Sequence, residues 1–386
     1  MKILQICHEY RPSGGGGARI VQYLSERLAT WNGHEVHLIT AAVAGSPRYE
    51  MWGSVIIHRV GLSWPISLEK DPGWRTYAAL GVFCVAATVK GICLQISESF
   101  DVIHSHFLVP GGLIAAVVSI ITRVPHVATA IEADILDARE ACAKPYGYPI
   151  KALIMFAGWQ AKRLIAISNA TRNDLVKYGF GQVSVVYYGI PKPQIVQVPR
   201  IRKLGEPFRV AFTGRLVKRK GVTTLLHAIA LLPSYVEAVI IGDGPERGPL
   251  EQLTHTLAIK GRVQFLGQVS DHEKFLALSR CDAFALTSLH DGYSLAILEA
   301  MHLGLPIITT DNGGQAELVS DNGIFVPPGK QINLSTLITM LMINPTVHQR
   351  MAEASRRNAL EYSPEKTAKE YEDIYLKEGW TYNERV

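Results

Sequence analysis

The sequence predicts an α/β chain of two similar halves, each built on a parallel sheet covered by helices. Three observations predict it. The chain has 386 residues, too many for one ordinary core. Short, continuously apolar runs alternate with helix-length segments, the pattern of parallel strands buried on both faces. The alternation stops once, at residues 191–200, where PKPQIVQVPR carries three prolines and no periodicity and reads as a linker. With 48% hydrophobic and 19% charged residues, 33 Gly and 20 Pro, the composition excludes disorder, collagen and coiled coil.

In chain order, the first half reads as strands at Ile3–Cys7, Glu35–Thr40, Val55–Val60, Asp101–His104, His126–Ala130, Leu164–Ile167 and Val183–Tyr187. The second half restarts with Phe208–Thr213, Ala238–Ile241, Val263–Leu266, Ala283–Leu286 and Pro306–Thr309. Between the first two strands, the glycine-rich run Ser13–Arg19 opens an amphipathic helix reaching Leu28. The most apolar stretch, Ala78–Ile96, is interrupted by Gly81, Lys90, Gly91 and Gln95. It reads as a buried helix, with a membrane span as the alternative. The tail Pro364–Glu378 reads as a surface helix capped by Ser363, with Tyr371, Ile374 and Tyr375 on its apolar side. The expected domains are therefore 1–195 and 196–363, followed by a tail, 364–386, that packs back on the first.

The net charge of +5 is unevenly placed: residues 1–199 hold 18 Lys/Arg against 13 Asp/Glu, and the remainder hold 21 of each. No helix-turn-helix, RNP or zinc-finger pattern accompanies this mild surplus, so a nucleic-acid partner is not expected. Solvated surface is the plain reading, and a membrane-surface or polyanionic partner the other. The first residues carry about five apolar side chains before a charged, glycine-rich stretch, short of a signal-peptide core. Five scattered cysteines, Cys7, Cys84, Cys93, Cys142 and Cys281, form neither a disulfide framework nor a zinc ribbon. The expected location is the cytoplasm.

Two open α/β domains bind ligands at the carboxyl ends of their strands, where helix N-termini favour phosphate. Four consecutive glycines in SGGGGAR let a backbone approach such a ligand closely, or simply make a flexible loop. A second glycine pattern, Gly242, Gly244 and Gly248, resembles a dinucleotide fingerprint, but no acid to bind a ribose follows the next strand. A structural turn fits it better. FTGRLVKRKG turns at Gly214 and offers Arg215 and Lys220 before a helix. Such cations suit a diphosphate, although solvated charges would look the same. In TSLHDGYSLAILEAMHLG, Asp291 lies in a loop and Glu299 falls among Ile297, Leu298, Ala300 and Met301. A carboxylate on an apolar helix needs hydroxyls or a cation if buried. Free amides near Tyr293 to Leu295 could hold phosphate.

With these motifs the chain resembles a GT-B glycosyltransferase of glycosyltransferase family 4 over nearly its whole length. WNGHEVHLIT, DVIHSHFLVPGG, LIAISNATRNDL, VYYGIP, GRLVKRKG, IGDGP, VQFLG, DGYSLAILEAMHLGLPII and NGGQAELV carry the likeness. The resemblance implies two Rossmann-like α/β/α domains facing each other across a cleft, and retaining transfer from a UDP- or GDP-sugar. It places Arg215 and Lys220 on the donor diphosphate, Glu299 on the ribose and Asp291 on the transferred sugar. It puts Gly15 and Gly16 over the phosphate or the acceptor, Phe265, Leu266 and Gly267 beside the base, and Gly214, Gly292, Tyr293, Ser294 and Leu295 around the donor. It implies no metal and no cofactor beyond the nucleotide sugar.

Three departures stand out. Asp291 replaces the first of the family's two glutamates, GYS replaces Gly-Phe-Gly, and TAIEADI puts Ile131 and Glu132 where many members have His or Arg. His106 is then the better histidine candidate beside the acceptor, a glycan, lipid-linked or small-molecule hydroxyl. Trp64 and Trp74 near Lys70 and Arg75 suggest an acceptor at the inner membrane face. A sugar-nucleotide epimerase or a phosphorylase of the same architecture, an NAD-dependent oxidoreductase, and an inactive glycan- or nucleotide-binding module are the rival readings.

Overall fold

The computed structural model describes residues 1–63, 74–131, 147–194 and 206–377. Trp64, Lys70, Glu132, Cys142, most of the linker and the expected boundary at 195 lie outside the described residues. The chain divides into two compact units, Met1–Gly189 together with the segment from Pro364 onward, and Ile190–Ser363.

The first unit runs β1 (Lys2–Ile6), α1 (Gly16–Thr30), β2 (Glu35–Ala41), β3 (Tyr49–Trp52), β4 (Val55–Val60), α2 (Trp74–Glu98), β5 (Val102–His106), α3 (Leu113–Thr122), β6 (His126–Ala130), α4 (Gly147–Gln160), β7 (Arg163–Ala166), α5 (Asn169–Tyr178) and β8 (Val183–Val185). Its sheet has the order β3-β4-β2-β1-β5-β6-β7-β8. All pairs are parallel except β3 with β4. Strand β3, absent from the sequence reading, is an edge hairpin partner turned at Gly53, whose φ is 56°. Its Glu50 holds the buried guanidinium of Arg59 at 2.6 Å.

The second unit runs β9 (Phe208–Thr213), α6 (Val222–Ala230), β10 (Val236–Ile241), α7 (Arg247–Thr256), β11 (Val263–Gly267), α8 (Asp271–Leu278), β12 (Ala283–Leu286), α9 (Leu295–His302), β13 (Ile307–Thr309), β14 (Gly323–Phe325), α10 (Gln331–Ile343) and α11 (Pro345–Ala359). Its strand order is β11-β10-β9-β12-β13-β14, with parallel pairing throughout. Strand β14, three residues long, was also missed.

Strand β5 extends past the expected His104 through His106, and all five of its residues are buried. Its polar side chains are accommodated by cross-strand partners. His104 Nε2 meets Thr129 Oγ1 at 2.8 Å, and Ser105 Oγ meets His126 Nε2 at 2.8 Å.

The last described helix, α12 (Pro364–Lys377), belongs to the first unit and packs on α1. It is less of a surface helix than its sequence suggested, because Tyr371 and Tyr375 are wholly buried. Their hydroxyls reach Thr129 and Tyr188, at 2.8 and 2.7 Å, and His104 Nδ1, at 2.7 Å. Glu372 accepts from Trp31 Nε1, Asn32 Nδ2 and His34 Nε2, each at 2.9 Å. The WNGH run therefore serves as the receptor for the returning helix. Burial works to raise the Glu372 carboxyl, but the bonds from Asn32, Trp31 and His34 hold it below the usual glutamate range. The clamp is thus at full strength above the ordinary glutamate value and weakens as pH falls through the depressed one.

Helix α2 corrects a second expectation. Ala79, Phe83, Ala87 and Leu94 are buried against the sheet, but Val82, Val85, Val89 and Ile96 point outward and are exposed. By length and composition α2 could cross a membrane, but here it is the crossover between β4 and β5, buried on one side only.

Glu372→Ala strands three donors at once, so we expect a loss of about 2 kcal/mol or more in urea unfolding at neutral pH. Glu372→Gln, which retains one acceptor oxygen, should lose less. Equal stability of all three proteins would show that the contacts of Glu372 do not hold the helix.

Candidate active site

The site residues expected from sequence fall into a large group in the second unit and a small one in the first. In the second unit they lie where loops leave the carboxyl ends of β9, β11 and β12. Lys220 closes a single 3-10 turn, Lys218–Lys220, just before α6. Two bonds sew this turn to the loop after β12: Leu289 N donates to Arg219 O at 2.7 Å, and Thr287 Oγ1 to Gly221 O at 2.8 Å. Lys220 Nζ is thereby brought to Asp291 Oδ2 at 2.5 Å, both side chains being largely buried. The two residues assigned to diphosphate and sugar neutralise each other in this structure. Arg215 is exposed one residue after Gly214, as are Lys218 and Arg219.

Gly292, Tyr293 and Ser294 are buried and lead into α9. Ser294 caps that helix, its hydroxyl accepting from Ile297 N at 3.3 Å. The first amides of the helix, beginning at Leu295, have no acceptor within the helix and set a partly positive end beside Asp291. Glu299 is buried one turn on, and its partner is a residue the sequence reading did not select: Lys274 Nζ, on α8, donates to Glu299 Oε1 at 2.5 Å and to Asp271 Oδ1 at 2.9 Å. The capping box Ser270/Glu273 that starts α8 is visible in the sequence. The inward turn of Lys274 is not, since a lysine four residues into a helix is ordinarily solvated.

The second glycine pattern is a structural crossing. A β-carbon on Gly242 would lie 2.0 Å from the carbonyl oxygen of Gly214, so the loops after β9 and β10 touch backbone to backbone. Gly214 N donates to Ile241 O at 2.9 Å, and Gly242 N to Gly267 O at 2.9 Å. Phe265 and Leu266, half-buried, end β11 beside this crossing.

In the first unit, Gly15 caps α1 and Gly16 begins it. Both are exposed, and a β-carbon on either would meet nothing within 4 Å. Packing instead requires Gly17, where a β-carbon would stand 2.6 Å from Phe107 Cζ. His106 corrects the expectation of an acceptor-side histidine. It is wholly buried beside the ring of His104, centroids 4.2 Å apart, and burial pushes its pKa down to about 3. Among the described residues neither of its ring nitrogens has a hydrogen-bond partner. It is a neutral core histidine at the end of a buried strand. One group among the described residues has metal-ligand spacing, Glu35, His37 and Glu98. Lys2 already bonds both carboxylates, at 3.3 and 3.1 Å, and the His37 nitrogens go to Glu35 and His58.

Two α/β units on largely parallel sheets have the architecture of a GT-B glycosyltransferase. The chain belongs to that class by sequence family as well: residues 14–192 match the model of Glycosyltransferase Family 4 and residues 196–358 that of Glycosyl transferases group 1. Among curated relatives, it is 26% identical to the N-acetyl-alpha-D-glucosaminyl L-malate synthase of Bacillus anthracis, over 94% of each chain. Among solved structures it matches sucrose-phosphate synthase from Thermosynechococcus elongatus with a TM-score of 0.82 at 20% identity, over 98% of this chain and 99% of that one. Anabaena HepE in complex with UDP-glucose matches with a TM-score of 0.75 at 20% identity, over 98% and 100%.

Lys274→Ala should cost about 3 kcal/mol in urea unfolding, because it takes the lysine away from a buried carboxylate, and Glu299→Ala should cost less, because Asp271 still holds Lys274. The double variant should lose much less than the sum of the two; strictly additive losses would mean that the pair is not coupled. Gly15→Ala and Gly16→Ala should melt with the wild type, while Gly17→Ala should melt lower. A fall for all three would refute the division of roles among these glycines.

Proposed function

We propose that the protein performs retaining transfer of a hexose-type sugar from a UDP- or GDP-sugar to a hydroxyl of a glycan, a lipid-linked or a small-molecule acceptor. It does so in the cytoplasm and without a resident metal or other cofactor. The observation that carries this reading is the Lys220–Asp291 pair at 2.5 Å beside the start of α9. An arriving diphosphate exchanges with Asp291 for the lysine, and Asp291 is released to accept hydrogen bonds from the sugar. Arg215, exposed one residue after Gly214, adds a second cation for the charge that grows on the leaving group. HepE, of the same fold, holds UDP-glucose.

In the transfer, the bond from the anomeric carbon to the diphosphate breaks as the acceptor oxygen bonds that carbon from the same face. The acceptor proton passes to the departing phosphate oxygen, so no protein base is required. With His106 in the core, no histidine of this chain is assigned to the proton. Glu299 accepts from the ribose hydroxyls, with Lys274 holding its carboxylate in place.

The test is ligand-detected NMR with UDP, GDP, ADP, CDP and NADH, followed by turnover with the matching donor sugars, each with and without EDTA. One nucleoside diphosphate should bind in the presence of EDTA. Lys220→Ala and Glu299→Gln should lower turnover at least about a hundredfold, and Lys218→Ala should be nearly silent. Nucleotide binding without transfer or hydrolysis across the donor panel would leave an inactive binding module. Loss of turnover in EDTA would refute the metal-free step, and near-normal turnover in Lys220→Ala would refute the diphosphate assignment.

A further inference from the structure

The solvent side of α2 is apolar along its length. Tyr77, Val82, Val85, Val89 and Ile96 are 57, 42, 68, 55 and 78% exposed, and the alanines and phenylalanine of the same helix that face the sheet fill the core. Helix α2 packs on α3 and α3 on α4. Lys151 of α4 in turn lies over the Tyr178 ring of α5, 5.2 Å from its centroid. These four crossover helices form one layer on one face of the first sheet. The outward stripe continues across it through Ile120 and Ile121 of α3 and Leu153 and Trp159 of α4, all exposed. Large apolar side chains scattered singly over a surface are ordinary, but nine gathered on three neighbouring helices form a patch of the kind that meets a partner or a membrane.

The charges of this layer indicate which. Arg75 on α2, Arg123 just past α3, Lys151 on α4, Lys162 just past α4, and Arg172 and Lys177 on α5 are all exposed. The four helices contain two acidic residues, Glu98 and Asp174. Glu98 is held by Lys2 at 3.1 Å, and Asp174 lies 3.9 Å from Lys177 with its side chain largely covered. Among the described residues the patch is therefore an apolar stripe among cations, and the two acids of its helices are already paired. A second copy of the chain would set these cations against one another across a twofold interface. An anionic bilayer satisfies both features, since apolar side chains enter the boundary between headgroups and acyl chains while Lys and Arg meet lipid phosphates.

We propose that the α2–α3–α4 layer of the first unit is a docking surface for an anionic lipid bilayer. The chain lies on the membrane and does not span it, because Phe83, Ala79 and Ala87 tie α2 to the sheet. The inference is independent of the transfer reaction and of any acceptor.

The experiment is flotation of the full chain with phosphatidylcholine vesicles, with and without phosphatidylglycerol, together with sedimentation equilibrium in the absence of lipid. The wild type should float with the anionic vesicles and scarcely with the neutral ones. Val85→Glu/Val89→Glu should lower the bound fraction at least tenfold. Lys151→Gln and Arg172→Gln should lower it about fivefold each at low salt, and less at high salt. All these positions are exposed, so the variants should melt with the wild type. Should the glutamates unsettle the helix, Val85→Ser/Val89→Ser gives the same reading with a smaller change. Absence of lipid binding, binding equal for both vesicle types, or binding indifferent to Val85 and Val89 would overturn the proposal. So would a lipid-free dimer that Val85→Glu converts to monomer, since the face would then be covered by a second copy.

Discussion

A parallel sheet has to be covered on both faces, and in this chain that requirement dictates where everything else is placed. Each strand must be followed by a crossover that returns the chain to the sheet's starting edge, so the loops leaving the strands gather at the opposite edge. In the second unit this brings the loops after β9, β10, β11 and β12 side by side although they are far apart in sequence. The contact of Gly242 with the Gly214 carbonyl, and the bonds from Leu289 and Thr287 to the Lys220 turn, are local consequences of that crowding. Lys220 and Asp291, 71 residues apart, meet because the strands that carry them, β9 and β12, are neighbours in the sheet.

A second constraint acts on the charges gathered at that edge. Helix α9 carries Glu299 in an otherwise apolar run, and an isolated buried carboxylate would cost several kcal/mol or take up a proton. Lys274 removes that cost from the neighbouring α8, as Lys220 does for Asp291. The pairs differ in what they leave open. Lys274 is held between Glu299 and Asp271, an arrangement suited to holding a carboxylate still. Lys220 has one described carboxylate partner and sits beside a helix start, so its partner can be exchanged for a phosphate without leaving the lysine alone. Ionic pairing thus fixes Glu299 in place and leaves the Lys220–Asp291 contact free to be replaced.

Much of this architecture was legible because strands buried on both faces leave continuous apolar runs, and β4, β6, β9 and β12 fall where those runs stand. The elements that escaped are those without such a signal. Strand β3, YEMW, is an exposed edge, and β14 has only three residues. In the site, residue types at strand ends were readable and pairings were not: Lys220, Asp291 and Glu299 were found by type and position, while Lys274 was hidden by the ordinary solubility of helical lysines. His106 failed in the other direction. A histidine at the end of a strand looks available, but the whole strand is buried, and its neighbours His104 and Ser105 are consumed by cross-strand bonds. The glycine run divided in a way that composition cannot show, with Gly17 required by Phe107 and Gly15 and Gly16 left open.

Helix α2 illustrates where periodicity stops carrying information. A helix apolar all round satisfies the sequence signature of a buried helix and of a membrane span equally, and both were open. The sheet decides between them, because a crossover helix has only one face to bury. Ala79, Ala87 and Gly91 let the helix approach the sheet and α3 closely, while the valines at 82, 85 and 89 stand outward. Helix propensity does not call for exposed β-branched residues, which lose side-chain freedom there, and solubility opposes them. A bilayer against the outer face, as proposed, would take these valines out of water and offset that cost.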